Sequence, residues 1–183
     1  MIYLAPGSLL TAISDSTKFP NSNASGSRAF LYFNNAHNSG IFGRGVIDGN
    51  GTYFKDTAGF KVKLLEIYKS TNIKIKDVVL RNTNGWCCHP LGCNGIIIDG
   101  LKIFSDWGLD NTDGIDPNNT SNVRVARYLG YRGDDAVAVK TDNRGGVTLK
   151  SENIEFFDCV IMTKKNRTQT RQREPSRYQR CSL

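Results

Sequence analysis

The sequence predicts an all-β fold wound as a parallel solenoid, and three observations carry that prediction. Helical periodicity is almost absent. Short β-branched runs recur between Gly, Asn and Asp punctuation, the mark of many short strands. A small polar residue or glycine precedes an apolar pair at Gly40-Ile41, Asn72-Ile73-Lys74-Ile75, Gly95-Ile96-Ile97-Ile98, Asn122-Val123-Arg124-Val125 and Asn153-Ile154-Glu155-Phe156, with spacings of 32, 23, 27 and 31 residues. Loose periods in that range, carried by strands, describe a coil whose loops vary in length.

In chain order, Met1 to Gly7 reads as a first strand and turn, because Pro6 and Gly7 interrupt it before the apolar core of a leader could form. Gly43-Arg44-Gly45-Val46-Ile47-Asp48-Gly49-Asn50-Gly51 reads as turns between short strands, since no strand-glycine-helix context surrounds it. Thr52 to Lys63 is less apolar and is expected to leave the coil. After Asn72, Gly95 and Asn122 a further strand follows in each repeat, at Trp86 to Pro90, Asp113 to Pro117 and Asp135 to Lys140. Each turn of the coil should therefore give two or three strands that stack in parallel on the next. Ile73, Ile75, Ile96, Ile98, Val123, Val125, Val137 and Val139 are the expected core. The asparagines before the strands suit tight turns, because Asn tolerates left-handed geometry.

The net charge of +7 is uneven. Residues 164–183 hold seven basic residues against Glu174, so this segment carries +6 and the other 163 residues +1. Residues 1–163 are expected to form one partial β-helix domain, and the basic tail 164–183 to lack order. Nucleic-acid binding through the tail is a third-ranked function, because Tyr178 alone offers a stacking ring beside the charge. No apolar run of about eighteen residues suggests a membrane span. Cys87, Cys88 and Cys93 read either as a local disulfide in an exported protein or as buried thiols, and the spacing of His89 among them does not suit zinc. No metal or cofactor is expected, and a monomer is.

Chemistry concentrates between Asn111 and Lys140. Asp113-Gly114-Ile115-Asp116 and Asp135-Ala136-Val137-Ala138 begin similar segments 22 residues apart. If 22 residues make one turn, Asp113 lies under Asp135, about 4.8 Å away along the stack. With Asp134 beside them, three carboxylates share one patch, and like charges so close raise at least one pKa, as a general acid requires near neutral pH. Asp134 and Asp135 are adjacent, so both serve only if the chain bends at residues 133–135. Asp116 is expected to cap a turn with Pro117. Lys140 reads either as a contact for a sugar acid or as a solvated strand end, and His89 as a residue lining a subsite or packing in a turn. Trp86 and Trp107 read as sugar-stacking rings or as core.

Asn111-Thr112-Asp113-Gly114 and Gly133-Asp134-Asp135 resemble two defining motifs of the polygalacturonases, glycoside hydrolase family 28. Leu4-Ala5-Pro6-Gly7, the Gly43 to Gly51 segment and Trp86 to Pro90 also look like that family, so the resemblance covers about residues 1–163. It implies a single-stranded, right-handed, pectin-lyase-like parallel β-helix and inverting hydrolysis of α-1,4-galacturonosyl linkages in pectin. Asp134 then matches the acid that protonates the leaving oxygen, while Asp113 and Asp135 match those that activate water; Asn111, His89 and Lys140 are the candidate substrate contacts. Inverting glycosidases place such carboxyls roughly 6.5 to 9.5 Å apart. The resemblance also implies a polysaccharide partner and an extracellular or cell-envelope location. The family's later glycine-histidine-glycine and arginine-isoleucine-lysine segments are not matched, since His37 and His89 both precede Asp113. The chain is therefore expected to be a C-terminally truncated or frame-shifted product. A dextranase-like hydrolase and a non-catalytic glycan-binding fragment are the alternatives.

Overall fold

A computed structural model describes residues 1–19, 27–55 and 60–165, together with the backbone of 169–171. The chain winds through successive coils that present strands, or on one coil isolated bridges, to three parallel faces. On the first face β1 (Ile2–Leu4), β4 (His37–Gly43), β7 (Thr71–Lys76), β10 (Asn94–Asp99), β12 (Ser121–Ala126) and β15 (Glu152–Phe157) pair in that order. On the second, β2 (Leu9–Thr11), β5 (Val46–Asp48), β8 (Val79–Arg81), β11 (Lys102–Phe104), β13 (Leu129–Arg132) and β16 (Val160–Thr163) do the same. The third face stacks β3 (Ala29–Asn34), β6 (Lys63–Tyr68) and β9 (Cys88–Leu91). It continues through single bridges at Ile115 and Asn118 to β14 (Ala138–Lys140) and β17 (Gln169–Arg171). The result is a right-handed parallel β-helix, the hand that right-twisted strands impose on parallel crossovers.

Side-chain alternation on the first face explains the repeat in the sequence. Ile75 pairs with Ile98, Ile98 with Val125 and Val125 with Phe156, while Ile73, Ile96, Val123 and Ile154 form a second inward column. All eight expected core residues are buried. Burying one Ile or Val fully is worth about 1.5–3 kcal/mol, and stacking identical shapes lets each coil template the next.

One alignment needs correction. Gly40-Ile41 is not the equivalent of Asn72-Ile73: Ser39 pairs with Ile73 and Ile41 with Ile75. Asn38 is the true counterpart of Asn72, at a separation of 34 residues, and a serine in the inward position hid this from the apolar pattern.

The asparagines entering the first face are left-handed, with φ of 49° at Asn38, 55° at Asn72 and Asn122, and 54° at Asn153. Their amides stack: Asn72 Nδ2 donates to Asn38 Oδ1 at 3.1 Å, Asn122 to Asn94 at 2.9 Å and Asn153 to Asn122 at 3.1 Å. This ladder, interrupted where Gly95 stands opposite Asn72, fixes the corner and satisfies polar groups between the coils it joins.

The excursion after Asn50 starts as a short helical turn, Gly51–Phe54, but ends earlier than expected, since Lys63 opens β6. Phe54 anchors it by packing edge-on against Phe19 at 5.5 Å. Cys87, Cys88 and Cys93 are buried thiols rather than a disulfide, and burial pushes the Cys93 thiol up to about 12. Within the tail expected to lack order, Gln169–Arg171 pairs in parallel with Ala138–Lys140; backbone pairing needs no apolar side chains. Residues 166–168 and 172–183 lie outside the described residues.

Candidate active site

The acids gather at the corner between the second and third faces. Ile115 bridges Val137, an offset of 22 residues, so the predicted stacking of Asp113 under Asp135 is the register the chain adopts. The Gly114 amide donates to the Asp135 carbonyl at 2.9 Å. Traced two residues back from Leu65, Cys88, Ile115 and Val137, the same register aligns Lys63, Trp86, Asp113 and Asp135 in one column.

Asp134 and Asp135 sit past the end of β13 and before β14, where the chain bends at Gly133 and Asp134. The Asp135 amide donates to Asp134 Oδ1 at 2.9 Å and the Asn111 amide to Oδ2 at 2.6 Å, which fixes the Asp134 carboxylate. Gly133 makes the bend feasible. A Cβ there would meet the carbonyl oxygens of Asp106, Trp107 and Leu109 at 2.7–2.8 Å, so only glycine lets the loop before Asp113 close onto the bend. Lys165 reaches Asp134 Oδ2 at 3.2 Å and Asp110 at 2.8 Å.

Beneath the acids lies a layer of buried charge. Lys140 Nζ stands 2.9 Å from Asp113 Oδ2, 3.3 Å from Asp116 Oδ2 and 3.5 Å from the centre of the Trp86 ring. It is not a solvated strand end: like Asp113, Asp134 and Asp135 it is buried, and its charge is directed at the acids and the indole. Asp116 is fully buried and does not cap a turn. Neither of its oxygens accepts a well-formed hydrogen bond among the described residues. Burial pushes its carboxyl up to about 8; Lys140 opposes the rise and the Asp113 charge adds to it. The strongly raised acid is thus a fourth carboxyl outside the predicted triplet.

His89 is also corrected. It aligns with Glu66 on the third face and is wholly buried, so it cannot line an open subsite. Its Nδ1 lies 2.7 Å from Lys63 Nζ and 3.2 Å from Glu66 Oε1, and Nε2 lies 3.4 Å from the Asn118 amide. Burial and the Lys63 charge lower its pKa to about 3, so it is neutral at working pH. Burial would raise Glu66, but His89, Lys63 and Ser27 outweigh that and hold it at about 2; burial lowers Lys63 to about 8 against the pull of Glu66. Asn111 is exposed, with φ of 61°, and its contact here is the backbone bond to Asp134.

Arg132 was not singled out by the sequence reading. It is fully buried below the bend, donates from Nη1 to the Thr112 carbonyl at 3.0 Å and lies 5.9 Å from the Tyr128 ring centre. It ties the strand leading into Asp134 to the residue preceding Asp113. Of the two tryptophans, Trp86 is part-buried among Lys63, Lys140 and Arg144, and Trp107 is 40% exposed, with its ring 5.0 Å from that of Tyr131.

The parallel β-helix thus sets an acid held by two backbone amides next to two acids stacked on neighbouring coils. Comparison with known proteins places the chain more closely: the model for glycosyl hydrolases family 28 matches residues 8–163, and the chain belongs to that family. It is 36% identical over 127 residues to a Vitis vinifera protein described as "Probable polygalacturonase", across 63% of this chain and 26% of that one. It is 31% identical over 160 residues to an endo-polygalacturonase of Pectobacterium carotovorum subsp. carotovorum, across 73% of this chain and 40% of that one. The chain thus spans well under half the length of these relatives. Among solved structures, an exopolygalacturonase from Thermotoga maritima superposes with a TM-score of 0.73 at 20% identity, covering 88% of this chain and 48% of its own. A polygalacturonase from Erwinia carotovora superposes at 0.71 and 22%, covering 92% and 54%. At those identities the likeness is one of fold.

Proposed function

We propose that this chain carries the acid cluster of a polygalacturonase and that the protein hydrolyses α-1,4-galacturonosyl linkages of pectin with inversion. Asp134 protonates the leaving glycosidic oxygen, and Asp113 and Asp135 activate the attacking water. The carrying observation is the 22-residue register that stacks Asp113 on Asp135 beside an Asp134 carboxylate fixed by two backbone amides. Lys140 and the buried layer position Asp113 from below. Action on a cell-wall polymer puts the protein outside the cell or at its envelope. Reducing-end release from polygalacturonate tests the reading. The native chain should turn over, and Asp134→Asn should be slower by about 10² to 10⁴, the usual contribution of a general acid. Equal rates in both proteins would remove the assignment.

A second reading, glycan binding without turnover, draws on Lys165. Its ammonium lies 3.2 Å from Asp134 Oδ2 and 2.8 Å from Asp110 Oδ1, so the carboxylate assigned the proton-donor role is already engaged by a cation of this chain. Binding of polygalacturonate with no reducing-end release from the native chain would favour this alternative.

A further inference from the structure

Three cations crowd one indole. Lys140 Nζ lies 3.5 Å, Arg144 Cζ 4.8 Å and Lys63 Nζ 5.0 Å from the centre of the Trp86 ring. Two of the three are committed: Lys140 is buried against Asp113 and Asp116, and Lys63 is buried against Glu66 and His89. Arg144 differs. Its side chain keeps 44% of its exposure, with Nη2 at 3.1 Å from Asp142 Oδ2, so the planar fork still presents donors to solvent.

The loop that carries Arg144 is held in place. Asn118 and Asp142 exchange hydrogen bonds at 2.7 and 3.3 Å, and Asn119 and Asn143 exchange theirs at 3.2 and 3.1 Å. Tyr68 donates from its hydroxyl to the Gly145 carbonyl at 2.8 Å, and Val147 is buried against Tyr68 and Leu91. An exposed arginine on a clamped loop is costly to assemble unless its position matters, because so many anchors restrict one short segment. Its guanidinium faces the ring that stands in the same column as Asp113 and Asp135.

We propose that Arg144, held over Trp86, reads the carboxylate of a uronic acid unit bound one coil away from Asp113, and so sets preference for uronate over neutral or esterified sugar. The inference rests on the galacturonan reading above. A planar guanidinium suits the task because it meets a carboxylate with two parallel hydrogen bonds, which an ester cannot accept as an anion. Lys63 adds positive potential behind it.

The test is calorimetric binding of short oligogalacturonates and their methyl esters to the 183-residue chain carrying Asp134→Asn, so that turnover does not consume the ligand. The free acids should bind about tenfold or more tighter than the esters, as expected for one charge-assisted contact. Adding Arg144→Gln should reduce that preference to less than about twofold and leave ester affinity unchanged, while Arg144→Lys should retain part of it. If Arg144→Gln keeps the preference, or weakens both ligands equally, the role of Arg144 is overturned and the galacturonan reading stands. If Asp134→Asn binds neither ligand, both fall. Matching circular dichroism melts of the variants establish that the loop change has not unfolded the chain.

Discussion

Asp116 offers the sharpest test of the buried layer. Its carboxyl is pushed up to about 8 by burial and by the neighbouring Asp113 charge, from an ordinary 3.8. Between those values the unfolded chain carries an ionised Asp116 and the folded chain a protonated one. The folded state therefore binds one more proton, and stability falls as pH rises through this window. A one-proton difference changes the unfolding free energy by about 1.36 kcal/mol per pH unit. Asp116→Asn keeps the shape and removes the titration. Relative to the variant, the native chain should lose roughly 2–3 kcal/mol between pH 5 and pH 7. Other groups with shifted pKa, such as His89 and Lys63, are common to both proteins and cancel to first order. Urea unfolding at pH 5, 6 and 7, followed by circular dichroism, measures the gap. A gap constant to within about 0.5 kcal/mol across that range would refute the assignment of a protonated buried acid and show that the Lys140 charge outweighs burial.

Histidine protonation gives a second pH test. Because the folded pKa of His89 is depressed to about 3, the unfolded chain takes up a proton near its ordinary 6.5 while the folded chain does not, so stability falls as pH drops below that value. Imidazole chemical shifts should show His89 neutral at pH 5, and His89→Gln should weaken the acid-side loss of stability. Removing the Asn122 amide with Asn122→Ala breaks the ladder on both sides and leaves alanine at a φ of 55°, for a loss of about 1–3 kcal/mol in urea unfolding. Ile98→Ala empties a fully buried site between Ile75 and Val125 and should lower the unfolding free energy by about 2–5 kcal/mol. Gly133→Ala should disturb the loop before Asp113, seen as a lost or shifted Asn111 amide resonance, because the new methyl meets three carbonyls.

The winding, the inward columns and the stacking of Asp113 under Asp135 were legible because they repeat in sequence. Polar residues below the site were harder to place. Lys63, Glu66, His89 and Asp116 look like surface groups, since, apart from the Lys63–Glu66 pair within one strand, their partners come from other coils at variable separations. No single offset shows it: the chain takes 23 residues from Leu65 to Cys88, 27 to Ile115 and 22 to Val137, and only the strand pairing puts Glu66, His89 and Asp116 in one column on the third face. Arg132 gave less warning, because an arginine before Gly-Asp-Asp reads as solvated unless the loop above it is known to close. The misplaced Gly40 alignment had a local cause. Ser39 stands where later coils carry Ile or Val, so a pattern built on apolar pairs slid by two residues.

The asparagine ladder carries a consequence for how such a molecule can change. The bonded pairs Asn38–Asn72, Asn94–Asn122 and Asn122–Asn153 are separated by 34, 28 and 31 residues, yet the bonds within them are nearly equal in length. Extra residues are therefore absorbed at the outer bends and never transmitted into the stack. Insertions and deletions at the rim can reshape what the acids meet without disturbing the column that holds them, so the grip on a polymer can diversify while its cutting edge stays where it was.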